Sequence, residues 1–418
     1  MAHMGIEVTA SPESVGMSSA RLDRIGSILH DTYVEPGEVA GISTLVARRG
    51  EIVHASQIGH RDREAGLAMT DDTLFRIYSM TKPIVSTALM LLHEEARFQL
   101  EQPVATFLPA FGAVQVMDAD GSLVAPVRPI EVRDLLTHTS GLTYDFMVDN
   151  PVAALYREAR IMNDSSRSLE ACIDALAELP LAFQPGSRWH YSVGIDVAAR
   201  LIEVLSGQSL AVFLHERIFG PLGMSDTAFG VPDGSMDRVA AMYGLPDLIG
   251  PGHDAGKLVE AALTGDNQRR DVTSTNPADQ AETFARGGLG LFSTIGDYHR
   301  FAQMLANGGT LDGVHVMSPK TLELMHTNHL PPSMIPWELM GIYTPGMGFG
   351  LGSRVMVDVA ASRGPGSVGE FGWAGAAKTY YWVDPTEQLV GIFMSQYMTG
   401  VQVPDRDFRS LVYGALTE

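Results

Sequence analysis

Ser79-Met80-Thr81-Lys82, running on into Pro83-Ile84-Val85-Ser86-Thr87-Ala88-Leu89-Met90-Leu91-Leu92, decides how the rest of the chain is read. Beyond Pro83 the residues are apolar nearly all round, which predicts a helix buried in a domain centre. If that helix begins at Met80, the N–H groups of residues 80–83 lack intrahelical partners, and Pro83 has none to lose. Positions i and i+3 share a helix face, so a Ser79 hydroxyl and a Lys82 amine can meet. The partial positive charge at the helix start favours a developing alkoxide at Ser79. Burial beside apolar neighbours disfavours an ammonium and brings a neutral amine base within reach near pH 7. The pair therefore reads as a nucleophile and its activator. Ser-x-x-Lys also arises by chance about once in a chain of this length, so other segments must decide. Lysine is scarce here, confined to Lys82, Lys257, Lys320 and Lys378. One of four placed against an apolar helix is not there for solvation.

The 418 residues, 45% hydrophobic, suffice for one large core or two interlocked ones. A net charge of −20 argues against nucleic acid or an anionic membrane surface as partner, because both demand a basic face. No apolar run reaches the roughly 18–20 residues of a membrane span. The amino terminus has neither a basic nor an apolar leader region, and its Met1-Ala2-His3-Met4 opening has the form of a cloning remnant. A cytoplasmic protein is the expectation. The one cysteine, Cys172, falls on the apolar side of the pattern Leu169, Cys172, Ile173, Leu176, and reads as a small core residue. No His, Cys or carboxylate spacing suggests a metal.

Helical spacing runs from Ser18 to Tyr33. Val39–Arg48 and Glu51–His60 read as strands around a tight turn at Arg48-Arg49-Gly50. Helices are expected at Arg133–Leu136, Val152–Arg160, Leu169–Ala177, Ile195–Leu205 and Leu210–Ile218, and an irregular insertion at Val231–Arg286. Strand character returns at Gly348–Val357, Gly375–Val383 and Gln388–Ser395, before a last helix at Phe408–Leu416. Each terminal strand set is too small to bury a face alone, so both must build one sheet. The expectation is an α/β fold, an antiparallel sheet flanked by helices. Residues 1–95 and 285–418 would form the α/β domain, and 96–284 an inserted, mainly helical domain.

Other segments follow the Ser79 helix in a fixed order. They are Leu135-Leu136-Thr137-His138-Thr139-Ser140-Gly141-Leu142, Phe183-Gln184-Pro185-Gly186-Ser187, Tyr191-Ser192, Phe219-Gly220-Pro221-Leu222-Gly223-Met224, Gly287-Gly288-Leu289-Gly290-Leu291-Phe292-Ser293-Thr294 and Trp373-Ala374-Gly375. This succession resembles the serine β-lactamase and penicillin-binding fold, in the class C β-lactamase-like branch that includes the family VIII carboxylesterases. The match runs from about Ser18 to Leu416. The resemblance implies that Ser79 is acylated, that Lys82 is its proton partner, and that Tyr191 shares the acid and base work. A phenolate beside Lys82 is favoured by the ammonium, so either residue can accept the Ser79 proton. The resemblance also implies an oxyanion hole made by the backbone N–H groups of Ser79 and Ala376. No cofactor is implied.

Two departures bear on substrate. Where the family's β-lactam-cleaving members have Tyr-x-Asn, this chain has Tyr191-Ser192-Val193. Where they have Lys-Thr-Gly, it has Trp373-Ala374-Gly375. Val193, Trp373 and Gly375 are thus candidate substrate-binding residues in a less polar pocket, matching the Trp-x-Gly pattern of the esterase branch. The implied activity is hydrolysis of a small-molecule, fairly hydrophobic ester through an acyl-enzyme. An amide, D-peptide or β-lactam hydrolase or an acyltransferase would use the same intermediate, and a sensor would acylate without turning over. The Gly-x-Ser-x-Gly elbow of α/β-hydrolases is absent. His138 reads as structural, His190 as lining the site or facing away, and Met334, Met340 and Met347 as lining a cleft or packing a loop.

Overall fold

Gly41–Arg48 (β1) is buried along its whole length, as expected of a strand with a packed layer on each face. It turns through Arg49 and Gly50, at φ 53° and 85°, into Glu51–Asp62 (β2). Two consecutive left-handed residues match the turn to the right-handed twist of the strands. The computed structural model describes residues 6–147, 150–162, 164–244, 267–272, 276–278, 284–339, 341–398 and 404–418. Most of the expected insertion at 231–286, and Met340, lie outside these residues.

Leu67–Ala68 (β3) extends β2 at one edge of the sheet. From the far end of the chain come Met347–Phe349 (β4), Arg354–Met356 (β5), Phe371–Gly375 (β6), Thr379–Asp384 (β7) and Leu389–Met394 (β8). The order is β4-β5-β6-β7-β8-β1-β2-β3, antiparallel throughout, so strands from both chain ends make one sheet. Alternation then sorts the side chains between two cores. Ile42, Val46, Trp382 and Phe393 face one, closed by the amino-terminal helices and by Phe408 and Val412 of Pro404–Gly414. Leu45, Ala47, Tyr381 and Ile392 face the other, which holds Thr81–Glu94 (α1), Gly194–Ser206 (α2) and Ile295–Ala306 (α3). Every residue of α1 from Thr81 to Leu92 is buried, as its unbroken apolar sequence requires.

Three boundaries differ from the sequence reading. The expected strand Gly348–Val357 is a hairpin, β4 and β5, because Gly352 takes φ 96° and the Gly350 N–H donates to the Ser353 carbonyl. The expected strand Gly375–Val383 is broken by a turn at residues 376–378, with Lys378 at φ 55°, and Phe371–Gly375 forms a strand of its own. Helix α1 starts at Thr81, and Ser79 sits in a 3-10 turn, Tyr78–Met80, leading into it.

Some polar groups in the core pair with one another. Glu370, fully buried, receives Arg354 (3.3 Å), Arg409 (2.7 Å) and the Tyr413 hydroxyl (2.7 Å), tying the last helix to the sheet. Removing one member would leave buried charge uncompensated, at about 3–5 kcal/mol. His326 stacks on Phe371 at 3.5 Å and its Nδ1–H donates to the Leu322 carbonyl; burial pushes its pKa down to about 3. A histidine depressed in the folded state stabilises above its unfolded pKa, and that contribution is lost as pH falls from about 6.5 towards 3. Thermal stability should therefore fall between pH 7 and pH 5, and His326→Gln should lessen the fall by up to about 2 kcal/mol. Calorimetry across that range checks this; an identical slope in the variant refutes it.

Candidate active site

The turn before α1 aims a serine into a cavity. Tyr78 is held at φ 42°, an uncommon backbone conformation for a bulky residue. Ser79, the next residue, lines a cavity together with Gly375 at the end of β6. The two segments meet closely. A Cβ on Gly375 would lie 2.4 Å from the Ile77 carbonyl oxygen and 2.2 Å from Thr379 Oγ1, so only glycine fits there. Ala376, the next residue, lines the same cavity as Ser79.

Two side chains converge on Ser79. Lys82 Nζ donates to Ser79 Oγ at 3.0 Å and to the Gly288 carbonyl at 2.7 Å, and the Tyr191 hydroxyl donates to Ser79 Oγ at 2.7 Å. The i, i+3 spacing places the lysine, and the chain entering α2 places the tyrosine. Lys82 is 1% exposed, its amine 4.7 Å from the Tyr191 ring centre and 5.2 Å from that of Tyr144. Tyr191 in turn packs on Trp373 at 5.7 Å and on His138 at 4.8 Å. His138 is fully buried with Nδ1 3.2 Å from Ser192 Oγ, and burial holds its pKa well below the ordinary histidine value. It is a neutral wall of the tyrosine's seat. A hydroxyl joined by hydrogen bonds to an amine and a phenol can be deprotonated in place, which is the arrangement nucleophilic catalysis needs.

The cavity measures about 370 Å3, within the usual range for small-molecule sites. Six aromatic residues line it: Tyr78, Tyr144, Phe146, Tyr191, Trp337 and Trp373. Gly375 lines it as expected. Val193 does not; it is buried at the start of α2, where the chain turns inward after Tyr191 and its N–H donates to the Thr143 carbonyl. His190 faces away, its Nε2 2.8 Å from Thr143 Oγ1. Neither Met334 nor Met347 is part of the lining. Trp337, Leu339, Ile342 and Thr344, from the same segment, are. Sequence reading missed these four and Tyr144, since none belongs to a spaced motif. Arg354 also reaches the wall, with its charge engaged by Glu370 and the Tyr380 hydroxyl.

A family model described as Beta-lactamase matches residues 29–415. The chain belongs to that family. Among curated proteins, this β-lactamase-family chain is 37% identical over 377 residues to Protein Rv1367c of Mycobacterium tuberculosis, covering 88% of each chain. It is 31% identical over 398 residues to Esterase EstB of Burkholderia gladioli, covering 92% of each. Among solved structures, it superposes on EstCE1, described as a hydrolase with promiscuous acyltransferase activity, with a TM-score of 0.78 and 26% identity over 94% of this chain and 99% of that one. The family's fold is the one described above, an antiparallel sheet with helices. Among the described residues, no single helix is long and apolar enough to cross a membrane.

The contact between Gly375 and Ile77 supplies a test of the geometry. Gly375→Ala must push the end of β6 away from Ser79, and misplacement on the order of 1 Å costs up to about 100-fold in rate. Labelling of Ser79 by a fluorophosphonate should slow at least about tenfold in a folded Gly375→Ala protein. Wild-type labelling would show that this contact does not set the site.

Proposed function

We propose that the protein is a serine carboxylesterase of the family VIII type, acting on small, fairly hydrophobic esters through an acyl-enzyme on Ser79. One observation carries the reading: Ser79 Oγ, hydrogen-bonded to both Lys82 and Tyr191, opens into a cavity walled almost entirely by apolar and aromatic groups. Relatives named as an esterase and as a hydrolase support it. In this reading the Ser79 proton passes to the Lys82–Tyr191 pair as Oγ attacks the ester carbonyl carbon. The N–H groups of Ser79 and Ala376 receive the tetrahedral oxyanion. The same pair returns the proton to the departing alcohol, and water, deprotonated in its turn, releases the acid.

A second reading keeps the acyl-enzyme and passes the acyl group to an alcohol. The low polarity of the cavity wall favours it, because such a wall offers few hydrogen-bonding partners to waters that would compete with an apolar acceptor. A nucleic-acid partner does not fit an acidic chain. The division into 1–95 with 285–418 and an inserted 96–284 is also a proposal, supported by the sheet, all eight strands of which lie outside 96–284. So is a cytoplasmic location, with which a single cysteine, allowing no intrachain disulfide, is compatible.

Ser79→Ala should abolish both turnover of p-nitrophenyl esters and fluorophosphonate labelling; retained esterase activity would remove Ser79 from the mechanism. Lys82→Ala and Tyr191→Phe should each lower kcat by about 10²- to 10⁴-fold. Acting as a unit, they should lose far less together than the product of the single losses.

Substrate choice follows from the wall. Trp373 replaces a cation, and Arg354 shares Glu370 with Arg409, so among the described residues a β-lactam carboxylate entering the cavity meets no cation free of a carboxylate partner. For p-nitrophenyl acetate or butyrate, kcat/KM should exceed that for benzylpenicillin by at least about 100-fold, roughly 2.7 kcal/mol of transition-state binding. Equal or greater kcat/KM on benzylpenicillin, measured beside the esters, would favour the β-lactamase reading instead.

A further inference from the structure

Lys82 enters a layer of polar atoms that the Ser79–Lys82–Tyr191 set does not account for. A Cβ built on Gly288 would lie 2.6 Å from Asp196 Oδ2, 2.6 Å from Tyr144 Oη and 3.3 Å from Lys82 Nζ. Three polar side-chain atoms from three different parts of the chain therefore meet at the one glycine whose carbonyl also receives Lys82. Asp196 is 2% exposed, as is Tyr144. Asp196 Oδ1 accepts the Gly288 N–H at 3.0 Å, whereas Asp196 Oδ2 and Tyr144 Oη are buried with no hydrogen-bond partner. Two unpartnered polar atoms in so apolar a core need a reason for being there.

The surroundings suit a carboxylate at Asp196. It lies in the first turn of α2, where the helix favours negative charge, and it accepts a backbone N–H. Burial raises the Asp196 pKa, and the charge of Lys82 acts against that. A buried ammonium needs a counter-charge for the same reason, and Asp196, though outside direct ion-pair distance, is the acid that meets Lys82 Nζ across Gly288 and feels its charge. Tyr144 contributes a ring. With Tyr191 it encloses the amine between two aromatic faces, at 5.2 and 4.7 Å. Burial, followed by the neighbouring Tyr191, Asp196 and Asp145, pushes the Tyr144 hydroxyl far up, so Tyr144 stays a phenol. The other charged or titratable groups facing this layer are His138, which is neutral, and Arg286, whose guanidinium donates to the Ala285, Asp164 and Arg167 carbonyls.

We propose that Asp196 is the counter-charge of Lys82 and, with the Tyr144 ring, a positioning pair that keeps Lys82 Nζ on Ser79 Oγ. Gly288 is part of the device, because a side chain there would drive the three groups apart. The inference rests on the reading of Ser79 and Lys82 as the catalytic pair only in its effect on rate. The charge pairing stands separately.

Two measurements test it on the full chain. Asp196→Asn keeps the shape and the acceptor for the Gly288 N–H but removes the charge. Its kcat on p-nitrophenyl butyrate should fall about tenfold or more with KM within about threefold. Losing a buried carboxylate changes the charge felt by the titrating groups of the site, so the pH–rate profile should move as well. An unmoved profile at wild-type rate overturns the proposal. The second measurement needs no activity. Lys82→Met strands the buried carboxylate and should lower Tm, and adding Asp196→Asn should restore about 2 °C or more of that loss. A double variant no more stable than Lys82→Met, or losses that simply add, overturns the pairing whether or not Ser79 is the nucleophile. Should Asp196→Asn alone fail to fold, the comparison of Lys82→Met with Lys82→Met/Asp196→Asn decides by itself.

Discussion

An amine enclosed in a hydrophobic core is the constraint on which the rest of this structure depends. Lys82 lies within a helix buried at every residue from Thr81 to Leu92, and burying its charge unpaired would cost several kcal/mol. The fold answers with the Ser79 hydroxyl one turn away and with groups from distant segments, the Gly288 carbonyl and the faces of Tyr144 and Tyr191. Each of these is itself held. Tyr191 is fixed by His138 and Trp373, Ser79 by the strained turn at Tyr78, and Gly288 by Asp196. A single buried amine thus joins α1, the chain entering α2 and the Gly288 segment in one arrangement. An arrangement held in this way is what catalysis asks of a site, since a preorganised group needs no rearrangement as charge develops.

The sheet contributes position more than chemistry. Strand β6 can approach the Ser79 turn because Gly375 has no side chain, and the turn after it brings Ala376 into the cavity wall. On the other face, Glu370 with its two arginines and Tyr413 clamps the last helix down, so the sheet cannot slide beneath the site. The cavity wall is backed by further aromatic rings, Trp189 tilted against Trp337 at 4.3 Å and Phe349 edge-on to Trp373 at 5.2 Å. Large, stiff side chains exclude water and fill space with little loss of rotamer freedom. Such a wall favours neutral substrates over charged ones.

How far the site was legible in advance depended on whether a residue announces itself through local spacing. Ser79 and Lys82 do, being one helical turn apart, and the structure brings them within hydrogen-bonding distance. Tyr191, Trp373, Gly375 and Ala376 became legible only through an ordered set of segments, and they too reach the cavity. Val193 shows the weakness of that inference: two residues beyond Tyr191 the chain has already turned into α2, and the side chain points into the core. The strand readings at Gly348–Val357 and Gly375–Val383 failed for a related reason. A run of glycines and apolar residues is compatible with one strand or with a tight hairpin, and hydrogen bonding across the turn decides between them.

By itself the sequence determined the buried helix behind Ser79, the Ser79–Lys82 pairing, the hairpin at Arg49-Gly50 and the need for both chain ends to build one sheet. All of these follow from periodicity and from local backbone preferences, which act over a few residues. Only the tertiary structure decided that Tyr144 and Asp196 stand beside Lys82, that Trp337 and Ile342 wall the cavity, and that Arg354 reaches it with its charge already engaged. Those placements arise from packing between segments far apart in the chain. The energy that fixes them is the exclusion of water from a shared core, which depends on shape and carries no signature in the spacing of residues along the chain.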